Sequence, residues 1–144
     1  MATQRKFAEG TTVAVEKSRA EIEGLLLRYG CKSFAYKIHE GIAVIEFIAR
    51  AVPLKPNEKP SQAVNPETDR MVRFTLALPL RGDRKFLHFR KPFDAWEAEC
   101  RRLWRCLALS IKAKLETVQS GILEFEAEFL ANVVDPVTNQ TMSE

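Results

Sequence analysis

The sequence predicts an α+β domain: an N-terminal helix, an antiparallel sheet of three to four strands, then a long helix and a short C-terminal helix packed on the sheet. Three observations lead there. Residues 15–29 repeat apolar side chains at helical spacing, residues 33–49 alternate as a hairpin, and residues 94–118 return to helical spacing over a span too long for a strand. Helices flanking a run of antiparallel strands bury their apolar stripes against one face of the sheet.

A chain of 144 residues has the size of one domain and can bury about two-thirds of its unfolded surface in a single core. Its hydrophobic share of 46% and charged share of 28% are ordinary, and no apolar run approaches the ~20 residues that span a bilayer. Arg5 and Lys6 have no apolar stretch behind them, unlike a secretory signal. Cys31, Cys100 and Cys106 are odd in number without a close pairing pattern, which fits a reducing compartment. The expectation is a cytoplasmic protein with no membrane association. The domain is drawn at residues 12–134, with 1–11 as a flexible arm and 135–144 as a polar tail.

The first helix rests on Ala20, Ile22, Leu25, Leu26 and Tyr29, with Gly30 as its stop; Ser18 and Glu21 have capping-box spacing, which would move the start three residues later. In the hairpin, Phe34, Tyr36 and Ile38 share a face, and His39-Glu40-Gly41 make a short turn. Both faces of Ile42–Ala49 are largely apolar, which predicts a central strand. Pro53, Pro56, Pro60 and Pro66 then exclude regular structure from residues 52–68, a loop expected to be mobile and to add little to the core. Met71–Leu78 alternates as a third strand, and Lys85–Phe89 is a candidate short fourth. Asp94 and Glu97 form a second capping box ahead of Trp96, Cys100, Leu103, Trp104, Leu107, Ile111, Leu115 and Val118, the longest helix. Gly121 ends it, and Ile122, Phe125, Phe129 and Val133 mark a short acidic helix.

No Gly-rich phosphate loop, nucleophile elbow or zinc-type cysteine pair occurs, so no catalytic residue, metal ligand or cofactor is assigned and the expectation is a non-enzyme. His39 and His88 lack partners at ligand spacing. Glu124, Glu126 and Glu128 fan around a helix rather than converging, Cys100 and Cys106 fall on different faces, and Trp96 and Trp104 share a stripe that reads as core.

The net charge of +3 hides a segregation: residues 81–114 hold ten Lys/Arg against four Asp/Glu, whereas residues 115–144 hold none against six. The two blocks either neutralise each other in the fold or build a basic surface beside an acidic tail. Arg81, Arg84, Lys85, Arg90, Lys91, Arg101, Arg102 and Arg105 can attract phosphates, and Phe86 and Phe89, if exposed, can stack on unpaired bases. The alternative for Arg101, Arg102 and Arg105 is pairing with Glu97, Glu99 and the acidic last helix.

The stretches Val15–Gly30, Trp96–Glu116 and Gly121–Leu130 together resemble a family of small uncharacterised proteins encoded by bacteriophages and prophages. That resemblance implies a phage gene product in the host cytoplasm and carries no functional residue with it. The helix, three strands, helix order is also similar to the double-stranded RNA-binding domain, whose lysine-rich second helix start is loosely echoed by Arg90 and Lys91; fold likeness alone does not assign function. The expected function is non-enzymatic binding of nucleic acid (DNA, single strands included) through the basic segment. The alternative is an inhibitor or adaptor that binds a host protein, and a homo-oligomer is left open.

Overall fold

A computed structural model describes residues 4–52 and 54–144; Met1 to Thr3 of the expected arm and Pro53 of the expected loop lie outside the described residues. Helix α1 (Val15–Arg28) leads into strands β1 (Ser33–His39), β2 (Ile42–Arg50) and β3 (Asp69–Ala77), followed by helix α2 (Pro92–Gln119) and the short helix α3 (Phe125–Phe129). The sheet is antiparallel in the order β1-β2-β3, so the strand with two apolar faces is the central one.

His39 pairs with Ile42, leaving a two-residue turn in which Glu40 and Gly41 have φ of 49° and 77°. Two successive positive φ values make the turn type that matches strand twist. A Cβ at Gly41 would also lie 3.1 Å from the Leu78 carbonyl oxygen, so the glycine lets the chain leaving β3 pass close by.

The inner face of β2 offers Ala43, Ile45, Phe47 and Ala49 to the helices, and all four are buried. Ile22, Leu25 and Leu26 of α1 and Trp104, Ala108, Ile111 and Leu115 of α2 close over them. Trp104 sits at the centre, its ring 5.5 Å from Tyr36. Helix α3 is held by its aromatics: Phe129 meets Phe47 and Phe74 edge-on, both at 6.3 Å, and stacks on Phe125 at 4.7 Å. Each such ring contributes about 1.5–3 kcal/mol by leaving water.

Several local expectations are corrected. Arg84–Phe86 is a 3₁₀ turn, not a fourth strand; Asp83 accepts the Lys85 N–H at its start, a side-chain bond that closes a turn rather than a ladder. Helix α1 begins at Val15, where its apolar periodicity places it, and only the alternative start three residues later fails: Ser18 is buried inside the first turns and caps nothing. Helix α2 begins two residues before Asp94, at Pro92, a residue suited to the first helical position because the missing N–H has no partner there. Ile122 and Val133 lie outside α3.

The last ten residues are polar but folded back. Val134 bridges Thr141, and just before the tail Val133 bridges Val72 and the Val134 N–H donates to the Met71 carbonyl, so the chain covers the outer edge of β3 around Met71 and Val72. A covered edge no longer offers unpaired backbone groups to another chain. The loop between β2 and β3 carries no regular structure, yet Lys32 Nζ donates to the Ala63 carbonyl and Arg50 pairs with Glu58 at 3.0 Å. Among the described residues no helix is long and apolar enough to cross a membrane.

Candidate nucleic-acid interface

Residues 78–91 run from the end of β3 to the start of α2 and are pinned at two points. Phe86 is buried, and the Trp96 indole N–H donates to the Pro79 carbonyl at 2.8 Å. Arg81, Arg84 and Lys85 between the pins, and Arg90 and Lys91 beyond the second, are exposed.

Phe86 was expected to stack on a base if exposed, and at 5% exposure its ring serves as the anchor instead. Phe89 is 48% exposed and has the His88 ring 4.2 Å away. The Arg81 guanidinium lies 4.3 Å from the Phe93 centroid, and Phe93 in turn packs on Trp96 at 5.5 Å. A cation held over an aromatic face loses freedom while keeping its outer side open. Sequence reasoning passed over Phe93; Pro92 as the first helical residue was the signal that the next side chain starts the helix at the surface.

The three α2 arginines do not join this segment. Arg101 and Arg105 are one helical turn apart and share a flank, and Arg105 forms an ion pair with Glu21 of α1. Arg102 pairs with Glu99 at 2.6 Å and donates to the Phe7 carbonyl of the N-terminal arm. That arginine hydrogen bond, against the opposing effect of burial, holds the Glu99 carboxyl below the usual glutamate range. Residues 78–91 pack on another flank of α2, marked by Phe93 beneath Arg81 and by Trp96 bonded to Pro79. The Arg101 Nε is buried without a hydrogen-bond partner.

The acidic tail does not neutralise the basic segment. Glu126 pairs with Arg70 at 3.1 Å, Glu128 with Lys114 at 3.3 Å, and Glu144 reaches Arg73 at 4.0 Å. Lys114 alone among the ten cations of residues 81–114 pairs with the tail. Among the described residues Arg81, Arg84, Lys85, Arg90 and Lys91 form no ion pair.

The remaining candidates are dispersed. His39 and His88 are exposed, and the carboxylates of the last helix point to separate lysine and arginine partners. Burial pushes the Cys31 thiol up to about 12, so it stays protonated at neutral pH. Cys100 is also raised, chiefly by burial, and Cys106 donates to the Phe7 carbonyl at 3.3 Å. Among the described residues no three His, Cys, Asp or Glu side chains gather at one point. No family model, curated protein or solved structure matches the chain.

Proposed function

We propose that this is a non-enzymatic accessory protein of a bacteriophage that binds DNA, single strands included, through residues 81–91 in the host cytoplasm. One observation supports it most: five exposed cations fall within residues 81–91 and form no ion pair among the described residues, the tail carboxylates that do pair meet other cations, and the half-exposed Phe89 lies in the same segment. Unneutralised cations release counterions from phosphates without reading sequence, and Phe89 supplies a stacking surface for an unpaired base. Electrophoretic mobility shift with single- and double-stranded DNA at two salt concentrations tests it. Binding should tighten as salt falls, and no shift at low salt would sink the proposal.

A second reading is an inhibitor or adaptor that docks on a host protein. Leu80 and Leu87, 60% and 65% exposed within the same segment, favour it, because apolar side chains ringed by charge suit a protein interface. Affinity capture from nuclease-treated host lysate separates the two readings. A partner retained after nuclease supports the adaptor, and one lost with the nucleic acid disfavours it.

A further inference from the structure

A cavity of about 420 Å³ opens along the seam between α1 and α2, on the flank of α2 that carries Arg105 rather than the one against residues 78–91. It falls within the ~300–1,000 Å³ range of small-molecule sites. Leu25 and Ala108 form a buried apolar floor, and the rim carries Arg28, Arg105 and Lys112 against one carboxylate, Glu21. Arg105 is oriented by Glu21, while Arg28 and Lys112 form no ion pair among the described residues.

Gly24 is the second feature. It lies in the middle of α1, where glycine weakens a helix. Close packing does not require it, since no atom lies within 4 Å of where its Cβ would be. A larger side chain there would enter the cavity, so the glycine keeps the seam open at the cost of helix stability. An apolar floor, an acceptor at Glu21 and a rim of three cations match an anionic head on a compact body with hydroxyl or amino groups.

We infer that the α1–α2 seam binds a small phosphorylated organic molecule of the nucleoside monophosphate class, its phosphate between Arg28 and Lys112 and its body over Leu25 and Ala108. The site is independent of DNA binding by residues 81–91.

The test is an NMR titration of the full chain with adenosine monophosphate, adenosine and inorganic phosphate. Adenosine monophosphate should saturate with a dissociation constant below about 1 mM, shifting residues 21–28 and 105–112. Adenosine should not saturate, and phosphate should bind at least about tenfold more weakly. Lys112→Gln should weaken binding about tenfold, and Gly24→Leu should abolish it with helicity retained by circular dichroism. If Gly24→Leu loses its fold, Lys112→Gln decides alone. Non-saturating shifts, shifts confined to residues 81–91, or unchanged affinity in Lys112→Gln would overturn the proposal.

Discussion

Lys32 Nζ stands 2.7 Å from Asp69 Oδ2, and the two side chains are only 9% and 1% exposed. The same carboxylate oxygen accepts the Asn65 N–H at 2.8 Å, and the same ammonium donates to the Ala63 carbonyl. One ion pair therefore fastens the start of β1, the start of β3 and the loop before it. Removing one partner of a buried pair leaves the other charge uncompensated, so Lys32→Met should cost about 3–5 kcal/mol in denaturant unfolding. Combining it with Asp69→Leu should cost less than Lys32→Met alone.

The same pair gives stability a pH signature. Burial opposes ionisation of Asp69, but the Asn65 N–H and the Lys32 ammonium outweigh it and hold the carboxyl below its usual range. A depressed folded value contributes stability that is present above the ordinary aspartate pKa of about 3.9 and is lost as pH falls through the folded value. Thermal melts of the native chain and Asp69→Asn should therefore converge below about pH 4 and separate above it. A difference that grows on acidification would contradict this.

The proline-rich loop should divide at its anchors. Replacing residues 54–62 by a short Gly/Ser linker removes exposed chain and the solvent-screened Arg50–Glu58 surface pair, so the melting temperature should change little. Extending the replacement through Asn65 removes the side-chain Oδ1 that accepts the Glu67 N–H and frees the turn that aims the backbone N–H of residue 65 at Asp69, and should lower the melting temperature clearly. Differential scanning calorimetry distinguishes the two.

Trp104 and the arginines beside it should separate core from surface. Truncating the buried Trp104 to alanine should cost about 3–5 kcal/mol, enough to unfold a marginal domain. Arg102→Gln and Arg105→Gln each break a partly exposed pair and should cost no more than about 1 kcal/mol. Denaturant midpoints measure both, and unfolding of either arginine variant would assign it to the core.

Periodicity made α1, the hairpin and the body of α2 legible in the sequence, because each buries one face against the others. Helix starts were less legible. Ser18 and Asp94 fit capping spacing, yet Ser18 is buried within α1, which starts at Val15 as its periodicity indicates, and Pro92 moves the start of α2 earlier than Asp94. The folded tail rests on single bridges such as Val72 with Val133, too few residues to produce alternation. The basic segment was legible as charge, but exposure of Phe89 and burial of Phe86 follow from which ring reaches the core. Helical phase puts Arg105 beside both Arg101 and Arg102; that Arg102 pairs within α2 while Arg105 meets Glu21 depended on how α1 crosses α2.

The most direct measurement is fluorescence anisotropy of single-stranded DNA binding across a salt series, comparing the native chain with a variant carrying Arg81→Gln, Arg84→Gln, Lys85→Gln, Arg90→Gln and Lys91→Gln and with the Arg102→Gln, Arg105→Gln double variant. Each phosphate-contacting cation adds roughly 0.7 to the slope of log affinity against log salt on single strands, so five removed should flatten it by up to about 3.5. The double variant should keep the native slope. If instead the fivefold variant binds with the native affinity and slope, or the double variant alone loses binding, residues 81–91 are not the DNA-binding surface.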